Sequence, residues 1–360
     1  MADQRALWVS VSTETKGGIA SYVRAMQQTA LWADWNVRHV ATQRDGSTAA
    51  KIAVFVRGAL QFMVEMIRFR PNVIHLHTSA RGSFVRKAAL LWISRPFRIP
   101  VVMHMHASGF PAFYEAAPRP ARMAIRATLR RADAFIALGE VWSSRMREIV
   151  PEARIIAVPN AVRLGHRTTQ PEQGEPVRVV FLGRIGDHKG AFNLLDAWAK
   201  LTREPDFGSG PHVAAQLSMA GDGDAQRARR QIRELDLHDS VELHDWLSEA
   251  EVGDLLDRAH VLVLPSRNEG QPMAVLEAMA RGMCVIATDV GGIPEMIGDD
   301  CGILIAPEDT EAIVAALRRV VNDPELRARC GAAAHTRVEN NFEVDVVQHR
   351  LDALYREVAR

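Results

Sequence analysis

The sequence predicts an α/β protein made of two doubly wound parallel-sheet domains, and three observations carry that expectation. Short apolar runs of about four to eight residues, rich in Val and Ile, alternate with longer amphipathic stretches, the pattern of βα units. The chain has 360 residues, more than one hydrophobic core usually serves. Near its middle, Val162 to Pro176 (VRLGHRTTQPEQGEP) is polar, carries prolines and glycines, shows no apolar periodicity and reads as a linker.

Strands are expected near 6–12, 37–41, 72–76, 100–105, 133–137 and 154–158, then at 177–182, 213–219, 240–244, 260–264, 283–287 and 302–305. This places domains at 1–165 and 177–342, joined by 166–176. Residues 309–321, 323–340 and 343–358 read as helices, with Asn322-Asp323-Pro324 as a stop and a new start. The last segment, 343–360, is expected to return to the first domain. Doubly wound sheets bind ligands beyond the carboxyl ends of their strands. Two such domains facing one another would leave a cleft between them, a common place for a substrate.

Composition narrows the class. With 48% apolar and 24% charged residues, the chain is neither disordered, fibrous nor a membrane bundle. The start, Met1-Ala2-Asp3-Gln4-Arg5, has no export-signal pattern, and the apolar runs are broken by Arg57 and Arg95, so a cytoplasmic location is expected. Cys284, Cys301 and Cys330 form no CxxC pair and read as buried small hydrophobes; no metal and no cofactor is expected. The net charge of +1 conceals 24 Lys/Arg against 10 Asp/Glu in residues 1–170 and 20 against 33 thereafter. A basic first half suits an anionic membrane surface or acceptor, or attraction between the halves. It does not suit nucleic acid, because no stacking aromatics interleave with the cations.

Two stretches carry most of the chemistry. In Pro265-Ser266-Arg267-Asn268-Glu269-Gly270-Gln271-Pro272-Met273-Ala274, a strand end leads through a polar loop into an apolar helix of about 272–281, with Pro272 at its first position. One carboxylate, Glu277, sits on that helix; expected to be buried, it needs partners, either the paired hydroxyls of a ribose or a nearby arginine. The amides of residues 270–274 suit anionic oxygens, and Glu269 can face the sugar end of the same ligand. In Gly183-Arg184-Ile185-Gly186-Asp187-His188-Lys189-Gly190, two cations on a glycine-spaced loop can converge on a diphosphate, or be unrelated surface charges. The spacing is not that of a Walker A loop. Asp289 to Glu295 supplies a third wall through Gly291-Gly292. Asp222-Gly223-Asp224 resembles a DxD metal motif but reads better as a strand-to-helix turn.

In the first half, Gly17-Gly18 opens a helix after the first strand, where amides can meet a phosphate. His104 and His106 lie at the end of the strand Val101-Val102-Met103, which places at least one of them in the cleft, and His75 and His77 hold the equivalent position after Val73-Ile74. A single histidine there is more often structural, but two strand ends bearing such pairs favour function.

Together these motifs resemble the family 4 glycosyltransferases, retaining enzymes of the GT-B fold. The resemblance rests on Glu269-Gly270 through Glu277 as an E-x7-E element, with Gly183-Arg184, Lys189-Gly190 and Gly291-Gly292-Ile293-Pro294-Glu295. It implies a nucleotide-diphosphate sugar donor such as GDP-mannose or a UDP-sugar. Arg184 and Lys189 would neutralise its diphosphate, Glu277 would hold the ribose and Glu269 the sugar. Gly17, Gly18, Gly183, Gly270, Gln271, Pro272, Met273 and Ala274 would line the donor. His106 would approach the sugar, with His77 and His104 as further sugar or acceptor contacts, although Ala107 follows His106 where the family more often has glycine. A glycan or lipid-linked glycan would be the acceptor. The arginines of 80–87 and 119–131, set among apolar residues, suit peripheral attachment at an anionic inner membrane, or are ordinary solvated helix faces. A non-hydrolysing nucleotide-sugar epimerase or a non-catalytic nucleotide-sugar-binding protein would share much of this pattern.

Overall fold

The structure, a computed structural model, describes residues 4–172, 174–205, 207 and 215–359. The chain divides into two compact units, one reaching Ala161 and resuming at Glu343, the other running from Val162 to Phe342. The first holds β1 (Ala6–Ser10), β2 (Arg38–Ala41), β3 (Val73–Thr78), β4 (Val101–Met105), β5 (Ala134–Ala137) and β6 (Ile155–Ala157), ordered β2-β1-β3-β4-β5-β6. The second holds β7 (Val177–Leu182), β8 (Ala215–Ala220), β9 (Val241–His244), β10 (Val261–Leu264), β11 (Cys284–Thr288) and β12 (Gly302–Ile305), ordered β12-β11-β10-β7-β8-β9. All neighbours in both sheets run parallel. Each expected strand is present; residues 213–214 of the eighth lie outside the described residues.

Strands β1, β3, β4 and β5 of the first sheet and β10 and β11 of the second are buried at every position, and β7 at every position but Arg178, because helices cover both faces of each sheet. In the first unit the alternation of side chains sorts residues between two cores. Leu7, Val9, Ile74 and Leu76 meet Phe62, Phe84 and Leu129 from the helices Thr48–Arg68, Gly82–Ser94 and Arg119–Arg131. Ala6, Trp8, Val73 and Val102 meet Tyr22 from Gly18–Met26 and Val347, Leu351 and Tyr355 from the C-terminal helix Val344–Val358. That helix is also tied by polar bonds, Trp35 Nε1 donating to Asp352 Oδ1 at 2.8 Å and Leu31 N to Gln348 Oε1 at 2.9 Å. The expected return of the final segment to the first domain is thus observed.

Helix ends follow local chemistry. Asp323 caps Pro324–Asn341 by accepting from Leu326 N, as the Asn-Asp-Pro break implied. The helix expected at 272–281 is shorter, Met273–Met279, with Pro272 as its cap instead of its first residue. The polar stretch 162–176 is a linker only in composition. Gly165 N donates to Ala280 O at 3.2 Å, Thr168 N to Arg281 O at 2.8 Å, and Arg327 Nε to Gln170 Oε1 at 3.0 Å, because backbone lying against a core must find partners.

One cation of the basic 80–87 stretch is inside. Lys87 shares a helix face with Phe84 and Leu91, three and four residues away, and is 1% exposed, donating to Thr42 Oγ1. Burial pushes its ammonium down to about 7. Between that value and the ordinary lysine range the unfolded chain holds a proton that the folded chain has shed, so Lys87 makes stability rise with pH across that window. Lys87→Met is expected to flatten the rise and to raise the melting temperature at neutral pH; an unchanged slope between pH 7 and 10 would show that the site is hydrated.

Candidate active site

In the second sheet the chain builds outward from β7 to β8 on one side and to β10 on the other, so strand order reverses between β7 and β10. At such a point the loops leaving the two strands part and open space beyond their carboxyl ends. The loops concerned are 183–190 and 265–272, the two stretches that stood out in the sequence.

Glycines let them meet. Gly190 has φ +69°, and a Cβ there would fall 2.0 Å from Pro265 O. Arg267 N donates to His188 O at 2.9 Å, and Gly292 N to Gly270 O at 3.1 Å, joining the 289–295 loop as a third wall. Within this frame Lys189 Nζ is ion-paired with Glu269 Oε1, and Ser266 Oγ donates to the same oxygen at 2.7 Å. Ser266 is itself buried, its carbonyl accepting from Thr288 Oγ1 of β11. Arg184 is exposed and, among the described residues, forms no ion pair. Lys189 and Arg184 thus share one short loop, with Lys189 ion-paired to Glu269.

Around the Met273–Met279 helix, Gln271, Pro272 and Met273 are buried while Gly270 and Ala274 are half-buried. No side chain caps its N-terminus, where the amides of Val275 and Leu276 donate to Pro272 O at 3.1 and 3.3 Å and those of Met273 and Ala274 precede the helical ladder. Glu277 is half-buried, not buried as expected. With Ala274, three residues before it, it lies on the one side of the helix that the core leaves uncovered. Asp224 caps the helix Ala225–Glu234 by accepting from Arg227 N at 3.0 Å, which makes Asp222-Gly223-Asp224 a strand-to-helix turn. Its shape is needed: Gly221 has φ +155°, and a Cβ there would meet Gly183 O at 1.9 Å.

In the first unit, strand order reverses between β1 and β3. Beyond β1, Gly17, with φ +112°, and Gly18 start the helix Gly18–Met26 in an exposed loop. On β3 and β4, His75 packs against Tyr355 of the C-terminal helix and His77 and His104 against Tyr22 of Gly18–Met26, and all three are 0–1% exposed. His104 and His77 are thus closed into the core, contrary to their expected contact with sugar or acceptor; their place within strands, on the core-facing parity, is the reason. His106, just past β4, is half-buried. Its Nδ1 bonds Asn160 Oδ1 at 3.2 Å and its Nε2 bonds His77 Nδ1 at 3.0 Å. With Asn160 Oδ1 accepting, His106 Nδ1 donates, Nε2 accepts from His77 Nδ1, and His77 Nε2 is left with a lone pair and no partner among the described residues. His75 bridges Tyr355 and His104, the latter at 3.2 Å. Burial holds His75, His77 and His104 well below the ordinary histidine value, and brings His106 to about 4. All four are neutral at pH 7. Among the described residues, His75, His77 and His104 are the trio that could hold a metal, their ligand atoms lying within 4.8 Å of one another. Ser266, Thr288 and Asn160 escaped the sequence reading; Ser266, three residues before Glu269, was the most readable of them.

Comparison with known proteins identifies the class. Residues 17–161 match the glycosyl transferase 4-like domain and 165–337 match glycosyl transferases group 1. Sucrose-phosphate synthase from Thermosynechococcus elongatus superposes with a TM-score of 0.81 at 21% identity, covering 98% of each chain. Anabaena HepE in complex with UDP-glucose does so at 0.74 and 17%, covering 98% of this chain and 99% of that one. The protein is a glycosyltransferase of the GT-B type. More narrowly, it belongs to the family 4 type, and it is 26% identical over 307 residues to the alpha-D-kanosaminyltransferase of Streptomyces kanamyceticus, spanning 79% of this chain and 77% of that protein.

Gly190→Ala is expected to lower stability by more than about 2 kcal/mol, through a strained φ and a backbone clash. Calorimetry giving a melting temperature equal to wild type would mean that the two loops are not held together there.

Proposed function

We propose that this enzyme moves a hexose from GDP-mannose or a UDP-sugar to a saccharide or lipid-linked saccharide, with retention at the anomeric carbon, during synthesis of a cell-envelope or exopolysaccharide glycan. The observation that carries the reading is the charge arrangement at the β7/β10 reversal, where exposed Arg184 stands on the same short loop as the Lys189–Glu269 pair. The UDP-glucose bound to HepE supports a nucleotide sugar as donor.

In the proposed reaction the bond from the anomeric carbon to the diphosphate breaks, leaving oxocarbenium-like charge on the sugar and a growing negative charge on the diphosphate. Arg184 offers a planar fork to that charge, and Lys189 can turn from Glu269 to a phosphate oxygen. Glu269 is then released to accept from sugar hydroxyls, while Glu277 accepts from the ribose. The acceptor oxygen bonds the anomeric carbon on the face the diphosphate leaves, and its proton passes to a diphosphate oxygen, so no protein base is required. Gly183 and the residues 270–274 line the donor. His106, neutral, contributes by hydrogen bonding and not by charge. The enzyme works in the cytoplasm, attached peripherally to the inner face of the plasma membrane.

Arg184→Ala is expected to lower transfer by about two to three orders of magnitude with an unchanged melting temperature; near-normal turnover would reject its role. In a thermal-shift series with nucleotide sugars at equal concentration, one donor is expected to stabilise the wild type and not Glu277→Ala. A shift that survives the substitution would remove Glu277 from the ribose site.

A further inference from the structure

The helix Thr48–Arg68 sends Phe62 and Met66 into the core but turns five aliphatic side chains the other way. Ile52, Val56, Leu60, Val64 and Ile67 recur every three or four residues, forming one stripe along the helix, and each is 46–64% exposed. A helix on a soluble surface normally presents charge there. The stripe cannot roll inward, because Gly58 seats the helix on β2 so closely that a Cβ would lie 2.4 Å from Ala41 O.

The surroundings indicate what covers it. Thr48–Arg68 touches Gly82–Ser94, which touches Arg119–Arg131, all on one side of the sheet. The two neighbours add exposed Val85, Trp92 and Met123. The three helices carry ten Lys/Arg, of which Lys87 is buried and Arg126 and Arg130 face Glu152 at 3.1 and 3.8 Å, against one acid of their own, Glu65, which is paired with Arg38 at 2.8 Å. An apolar stripe among cations, on helices whose only acid is already paired, complements an anionic lipid interface: acyl chains take the aliphatics and phosphates take the guanidinium groups.

We propose that Thr48–Arg68 lies in the plane of an anionic bilayer surface and inserts its aliphatic stripe beneath the phosphates, with the arginines of Arg119–Arg131 remaining at the headgroups. The inference rests on the peripheral attachment proposed above and adds that apolar insertion by this helix, not charge alone, holds the enzyme there.

The test is sedimentation of the full chain with vesicles of phosphatidylcholine and phosphatidylglycerol, at low salt and at about 1 M, where screening shortens to about 3 Å. Wild type is expected to bind and to stay partly bound at high salt. A Val56→Ser/Leu60→Ser variant, with wild-type circular dichroism and melting temperature, is expected to bind about tenfold less or weaker still. Arg126→Gln/Arg130→Gln is expected to lose low-salt binding while keeping the salt-resistant part. Wild type failing to bind these vesicles would reject the attachment and the insertion together. Equal binding by the Val56/Leu60 variant, or complete loss of wild-type binding at high salt, would overturn insertion while leaving electrostatic attachment standing. Wild-type dimers in light scattering that the Val56/Leu60 variant abolishes would assign the stripe to a second copy of the chain and overturn the proposal.

Discussion

Both units obey one constraint: a parallel sheet covered on each face by helices has no room for solvated polar groups except at the ends of its strands. Hydrogen-bonded ladders consume the backbone of β7 and β10, and apart from Arg178 near the start of β7, Val, Leu and Phe fill both their faces. Charge is therefore displaced to where the strands end, and most usefully to where their order reverses. The positions of Arg184, Lys189 and Glu269 follow from this, as does the need for Gly190 and Gly221, without which the loops carrying them could not approach so closely.

The first unit breaks the constraint once. His75, His77 and His104 sit inside a sheet, where charged imidazoles would be poorly solvated, and the structure keeps them neutral through burial and mutual bonding. The chain of bonds from Asn160 through His106 to His77 fixes the ring tautomers, and Tyr355 closes the other end of the group at His75. A polar interior of this kind holds one arrangement or pays for its unpaired atoms, which makes it a strong determinant of how the C-terminal helix seats.

What could be read from the chain beforehand was whatever depends on local periodicity. Each strand, the Asp323 cap and the Asp224 turn follow from neighbouring residues, so they were legible. The E-x7-E spacing likewise marked the 265–277 region. What escaped depends on orientation. Lys87 looked like a surface cation because its stretch is basic, but the helix phase sets it beside Phe84 and Leu91. Glu277 looked buried because its helix is apolar, yet it falls on the one uncovered side. The pairing of Lys189 with Glu269 crosses 80 residues, a distance over which no pattern in one sequence reports contact. The stripe on Thr48–Arg68 was hidden for a related reason: five aliphatics at helical spacing ordinarily mean a core-facing side, and only the position of Gly58 against β2 shows that they point away.

The first unit is assembled from two pieces of chain separated by the entire second unit. On a ribosome, the contiguous stretch 162–342 can close its own core as soon as it emerges, whereas the sheet begun at Ala6 waits for Val344–Val358 to cover Trp8, Tyr22 and Trp35. The order of synthesis is thus the reverse of the order of completion: the later-made unit matures first, and the earlier one spends the interval with an aromatic, histidine-bearing face uncovered.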